Sequence, residues 1–220
     1  KLVNKKIIDI KKKNKTPILV GGTGLYFKAI TEGLVKIPNI PIRLRSKIRL
    51  LHKKIGAKNF FLELIKLDPI SKNFVKLADT QRVIRAYEVK LFTKRSIYDW
   101  FKSTQSDYEK DDFFKIYIDH PRAELIKRIE DRTEYMIKNG SISEVKKFMK
   151  LKVPKVKTAS KAIGIAEIRE YLKKKIEISE VIEKISIKTR QYAKRQSTWA
   201  RGNMMDWNKI KSEDLNKFLK

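Results

Sequence analysis

The sequence predicts an α/β core that carries a helical lobe. Three observations lead there. The short apolar run Pro17 to Val20 ends in Gly21-Gly22-Thr23-Gly24 and leads into a helical pattern. That order, with a glycine turn at the carboxyl end of a strand, is how α/β sheets carry their functional loops. From Leu44 to about Lys110 the pattern is helical and almost free of strand signals. Phe113 to Ile118 then reads as a second strand, followed by more helix.

The elements follow in order. Leu2 to Lys13 is the end of an amphipathic helix, with Ile7, Ile8 and Ile10 among lysines. Pro17-Ile18-Leu19-Val20 has the unbroken apolar character of a buried parallel strand. Leu25 to Gly33 is a helix closed by glycine. Pro38 and Pro41 then interrupt the chain. Leu50, Leu51, Ile55, Phe60, Phe61, Leu64, Ile65 and Leu67 form one stripe that stops at Asp68-Pro69. Asp79 starts a helix with Val83, Ile84, Tyr87 and Leu91 facing inward. Ser103 to Asp112 is a polar return to the core. Pro121 opens a helix, where its missing N–H does no harm; this helix carries Leu125, Ile126, Ile129 and Met136 and ends at Asn139-Gly140. Ser141 to Leu151 is another helix, and Lys152 to Lys157 is a basic loop. The last long helix starts near Ser179, an N-cap residue with Glu180 in the first turn, and reaches Trp199. Residues 1–44 and 112–220 are thereby assigned to the core and 45–111 to the lobe.

With 53 Lys and Arg against 25 Asp and Glu, the formal net charge is +28. A balance that basic suits a polyanionic partner, either nucleic acid or an anionic membrane surface. Lysines are scattered everywhere, so the grouped arginines are the more informative. There is no cysteine, which excludes disulfides, zinc fingers, iron–sulfur clusters and cysteine nucleophiles. His52 and His120 stand apart without ligand spacing and read as surface residues. No apolar run reaches the roughly 18 residues of a membrane span and no signal peptide is visible, so a cytoplasmic location is expected. Residue 1 is Lys, which reads as a fragment or a cut chain.

Four groups could carry chemistry. Consecutive glycines at Gly21 and Gly22 let backbone N–H groups approach an anion, with a helix N-terminus behind them and a hydroxyl on Thr23. A plain tight turn reads equally well, and the P-loop pattern G-x-x-x-x-G-K-[ST] occurs nowhere in the chain. Gln81, Arg82 and Arg85 share one helix face, where an amide and two guanidinium groups could hold a splayed base and its phosphates; a solvated face capped by Asp79 is the alternative. Arg128 and Arg132 lie one turn apart and could fold over a phosphate, or pair with Glu124 or Asp131. On the last helix, Arg190, Lys194 and Arg201 occupy a different stripe from Tyr192 and Trp199, which face one way as core residues do. A basic helix anchored by an apolar one suits a phosphate backbone, with a membrane-surface helix as the alternative.

In combination these pieces resemble the tRNA dimethylallyltransferase family. The segments that carry the likeness are Pro17 to Lys28 with Glu32-Gly33-Leu34, the run DTQRVIRAYEV from Asp79 to Val89, Arg128 to Met136 with Gly140 and Glu144-Val145, Ala162-Ile163-Gly164, and Thr189 to Trp199. They occur in the family's order. Thr80, where the family often has proline, and Ile165-Ala166-Glu167, in place of a more typical Tyr-Lys-Glu, depart from it.

The resemblance implies a P-loop NTPase-like parallel-sheet core, incomplete here because the P-loop and N-terminal strands are missing, with an inserted all-helical lobe. It implies transfer of a dimethylallyl group from its diphosphate to N6 of adenosine 37 in tRNAs that read codons starting with U. Mg²⁺ is the implied cofactor, its ligands mostly in the missing part. The implied partners are the tRNA anticodon stem-loop and dimethylallyl diphosphate, with room for a separate N-terminal fragment, and a monomer. Thr23 matches a threonine near the reacting atoms, while Gly21, Gly22, Arg128 and Arg132 match diphosphate contacts. The implied tRNA contacts are Arg45; Gln81, Arg82, Val83, Ile84 and Arg85; Ser160, Lys161, Ala162, Ile163, Gly164 and Ile165; and Thr189, Arg190, Gln191, Lys194, Arg195 and Gln196. The 220 residues alone are expected to be inactive; the alternative is a non-catalytic remnant that still binds RNA.

Overall fold

The computed structural model describes residues 2–154 and 157–218. In chain order the helices are α1 (Leu2–Lys11), α2 (Gly24–Thr31), α3 (Ile42–Leu67), α4 (Thr80–Thr93), α5 (Ile97–Lys102), α6 (Arg122–Lys138), α7 (Ser141–Lys150), α8 (Ile165–Leu172), α9 (Ile178–Asn203) and α10 (Leu215–Phe218). Two strands, β1 (Ile116–Asp119) and β2 (Asn208–Lys211), pair in parallel from Ile116 against Asn208 to Asp119 against Lys211. The chain divides into two compact units, Lys1–Gly24 with Phe114–Lys220, and Leu25–Phe113. No helix of the described residues is long and apolar enough to cross a membrane.

In the Leu25–Phe113 unit the core forms where the apolar stripes of α3 and α4 meet. Phe60, Leu64, Val83, Ala86 and Val89 are buried together. Gly56, with φ of 79°, kinks α3, a conformation that glycine adopts without the Cβ penalty. Behind the core, Asp68 follows the end of α3. Its buried Oδ2 accepts from the Ser71 hydroxyl at 2.9 Å and from the Ser96 hydroxyl at 2.8 Å. Ser96 in turn caps α5 by accepting from the Tyr98 N–H. One carboxylate thus joins the end of one helix to the start of another.

In the other unit α6, α7, α8 and α9 enclose Ile137, Val145, Ile168, Val181 and Ile185. The parallel pairing of β1 with β2 requires a long crossover, and this helical layer supplies it.

Several elements differ from expectation. Pro17 to Val20 is not a strand, and Ile18 and Val20 are 78% and 90% exposed. A buried parallel strand needs hydrogen-bonding neighbours, and no described segment pairs with these residues. The second strand begins at Ile116, leaving Phe114 exposed. The last helix begins at Ile178, capped reciprocally by Glu177 and Glu180 rather than by Ser179. Tyr192 is exposed, not core. The histidines are half-buried: the His52 ring meets Phe60 edge-on at 5.1 Å, and His120 Nδ1 lies 2.7 Å from the Ser212 hydroxyl. Within the basic loop 152–157, residues 155–156 lie outside the described residues.

Candidate functional site

The glycine turn meets one face of α9. Tyr192, Gln196 and Trp199 are spaced by four and three residues, so they line a single stripe. A Cβ at Gly22 would lie 2.4 Å from Gln196 Nε2, and one at Gly24 would lie 2.0 Å from the Trp199 ring. Between them the Thr23 hydroxyl sits 3.4 Å from the Tyr192 hydroxyl. Only residues without a side chain allow so close an approach. Hydrogen bonds with Thr23 and Gln196, helped by the charge of Arg195, outweigh burial and hold the Tyr192 phenol below its ordinary value near 10. The Arg195 guanidinium lies 5.6 Å over the Tyr192 ring. Beside this contact a groove of about 440 Å³ runs along Gln191, Lys194, Arg195, Thr198 and Trp199. Hydroxyl groups, cations and a glycine turn therefore share one place, suited to an anionic ligand.

Arg128 and Arg132 are exposed on α6, with no ion pair among the described residues. Their neighbour Glu130 instead takes Arg190 of α9 at 3.2 Å. Arg190, expected on RNA phosphates, is therefore partly engaged within the protein. Thr189 turns its hydroxyl back to the Ile185 carbonyl at 2.8 Å, and Gln191 and Lys194 stay exposed.

The segment 160–165 joins a short 3-10 turn to α8. The Ser160 hydroxyl donates to the Pro154 carbonyl at 3.1 Å, and Lys161, Ala162 and Ile163 are exposed. Gly164, at φ of 103°, donates its N–H to Glu167 Oε2 at 2.9 Å. The other oxygen of this buried carboxylate pairs with Lys188 of α9. Burial alone would raise the Glu167 pKa. The hydrogen bond from Lys188, the backbone N–H groups of Glu167 and Gly164, and the Lys188 charge outweigh it and hold the group below the ordinary range. Ile165 opens α8 half-buried.

On the lobe, Asp79 caps α4 by accepting from the Arg82 backbone N–H at 3.2 Å and pairs with the Arg82 guanidinium at 3.2 Å. Gln81 is exposed. Val83 and Ile84, also expected among the RNA contacts, bury their side chains in the lobe core. Buried Glu88, which sequence reading passed over, collects Arg45 at 3.4 Å, Arg85 at 3.5 Å and Arg49 at 3.8 Å. One carboxylate cannot neutralise three guanidinium groups, so the cluster keeps an excess of positive charge beside Gln81. The only sequence signal for Glu88 is its place three residues after Arg85 on α4.

A family model described as IPP transferase matches residues 1–203, and the chain belongs to that family. It is similar to the tRNA dimethylallyltransferase of Pelagibacter ubique, 52% identical over 219 residues that cover all of this chain and 70% of the relative. It is likewise similar to that of Rickettsia massiliae, 40% identical over 207 residues, 94% of the chain and 57% of the relative. The chain thus spans 57% to 70% of the length of these relatives. Among solved structures, a tRNA isopentenylpyrophosphate transferase from Bacillus halodurans matches 96% of the chain and 64% of its own, with 29% identity and a TM-score of 0.57. A eukaryotic dimethylallyltransferase described as acting on tRNA shares the fold over 98% of the chain and 56% of its own, at 23% identity and a TM-score of 0.72.

Mg²⁺ does not fit the residues present. Among the described residues no three His, Asp or Glu side chains gather as a metal site, and the glycine turn meets amide, hydroxyl and indole groups rather than carboxylates.

Proposed function

We propose that these residues supply the RNA-holding surfaces and part of the reaction centre of a tRNA dimethylallyltransferase. In the reaction the exocyclic N6 of adenosine 37 attacks C1 of dimethylallyl diphosphate. The C–O bond breaks, diphosphate leaves with the bonding pair, and N6 loses a proton. The target adenosine is flipped out of its stack to be reached, in tRNAs reading codons that start with U.

The observation that supports this reading is the meeting of the Gly21–Gly24 turn with Tyr192, Gln196 and Trp199 of α9. It brings a backbone anion-binding turn and a basic helix to one place, as transfer from a diphosphate to an RNA requires. In this reading Thr23 lies at the reacting atoms. Gly21, Gly22, Arg128 and Arg132 contact diphosphate, and Lys194, Arg195 and Gln196 hold RNA. Arg45, Gln81, Arg82 and Arg85 receive the anticodon loop on the lobe 45–111. Strands β1 and β2 belong to a P-loop-type parallel sheet, in a cytoplasmic monomer. The 220 residues hold no P-loop motif, so the reading gives them no transfer activity on their own.

The test joins this chain to the part of the P. ubique relative that it does not span. The chimera is incubated with dimethylallyl diphosphate, Mg²⁺ and tRNA, and the product is located by digestion and mass spectrometry. The expected result is N6-(dimethylallyl)adenosine at position 37 with the chimera and none with the chain alone. A chimera that folds and binds tRNA but forms no product contradicts the proposal and favours the RNA-binding remnant.

A further inference from the structure

We infer that the groove between α4, α5 and the segment before α4 is a stacking subsite for one unpaired RNA base other than the target adenosine. The inference rests on the RNA-modifying reading and goes beyond it, because none of the three aromatic residues involved was assigned a role there.

The groove encloses about 690 Å³, within the range of about 300–1,000 Å³ typical of ligand pockets. Its wall is aromatic. The Phe74 ring lies on Tyr98 at 4.2 Å and 15°, and Phe101 meets Tyr98 edge-on at 6.0 Å and 81°. Tyr98 is thus braced from two sides, while Phe74 and Phe101 remain 55% and 49% exposed. Large aromatic rings left half open in an ordered stack suit a flat ligand that continues the stack. Burial and the nearby Asp68 carboxylate push the Tyr98 phenol above its ordinary value near 10, so the wall carries no negative charge.

The rim is polar and cationic. Gln81, Arg82, Arg85 and Lys102 line it. Arg82 pairs with Asp79 at 3.2 Å and Lys102 with Asp99 at 3.3 Å, which holds both side chains at the edge. Arg85 shares the single buried Glu88 with Arg45 and Arg49, so positive charge remains for a phosphate. An aromatic floor with a guanidinium rim and one amide is the arrangement by which single-stranded RNA is stacked and its base edge read. An uncharged protein helix would find the apolar floor but would leave the excess charge of the Arg45, Arg49 and Arg85 cluster unmatched.

The test uses the 220-residue chain and anticodon stem-loop RNAs, each with one loop base removed to leave an abasic sugar. Filter binding is measured over a salt series. One position other than 37 should show a loss of about five- to 100-fold on base removal. In the Phe74→Ala/Phe101→Ala variant that loss should vanish, with the salt slope unchanged because stacking releases no counterions. Phe74→Tyr/Phe101→Tyr should restore it. Equal weakening for every RNA would mean a structural role and overturns the subsite. An unchanged affinity of the alanine variant overturns it as well. Arg190→Ala/Lys194→Ala separates the two failures: if its slope still falls, the RNA reading stands without the subsite.

Discussion

The Trp199 ring occupies the space that a side chain at Gly24 would need, 2.0 Å from where a Cβ would stand. This packing joins the glycine turn to α9 and holds Thr23 beside Tyr192.

Gly24→Ala should therefore destabilise the fold by about 1–3 kcal/mol, the usual cost of overpacking. The same change in a Trp199→Ala background should cost much less. Urea denaturation of the three variants and the wild type measures the coupling, and equal costs in both backgrounds would show that the ring is not the obstacle.

Asp68→Ala should cost roughly 1–3 kcal/mol, because it leaves the buried Ser71 and Ser96 hydroxyls without an acceptor. Asp68→Asn keeps one acceptor oxygen and should cost less. The urea midpoints of the two variants give the order.

Glu167 should make stability depend on pH. Its folded pKa is depressed, so its contribution is fully present above its unfolded value of about 4.3 and is lost as pH falls through the folded value. The wild-type urea midpoint should fall below about pH 4, and Glu167→Gln should flatten that fall. Lys188→Met removes the partner of a buried carboxylate and raises its folded pKa, so it should lower the midpoint at neutral pH and shrink the fall on acidification. A Glu167→Gln profile parallel to wild type would contradict the assignment.

Arg190→Ala with Lys194→Ala should weaken tRNA binding and reduce the salt slope by about one unit for each phosphate that the protein no longer neutralises. Because Glu130 holds Arg190 at 3.2 Å, Glu130→Gln should act oppositely and tighten binding. Filter binding across a salt series reads both.

Much of this was legible in the residues. The apolar spacing of α6 and α9 is visible because each helix buries one stripe against its neighbours. The N-terminus of α9 lies one residue from the expected start because Glu177 and Glu180 cap it reciprocally, a pairing as readable as the serine between them. Pro17 to Val20 misled because a strand exists through its partners, and an apolar run does not show whether any are present. β2 gave no signal: Asn-Lys-Ile-Lys holds one apolar residue and is a strand only by pairing with β1. Within the site, the arginines were legible but their organiser was not, since Glu88 reaches Arg45 and Arg49 across the lobe. The approach of Thr23 to Tyr192 spans 169 residues, and no local pattern announces it.

Most hangs on the turn that faces α9 being the transfer centre. Single-turnover transfer by the Thr23→Val chimera tests this most directly, with the tRNA Kd measured alongside. Valine keeps the shape of threonine and removes only the hydroxyl that faces Tyr192. The predicted result is a rate lower by roughly 100-fold or more, the cost of losing one positioned donor in related chemistry, with the tRNA Kd unchanged. An unchanged transfer rate would contradict it.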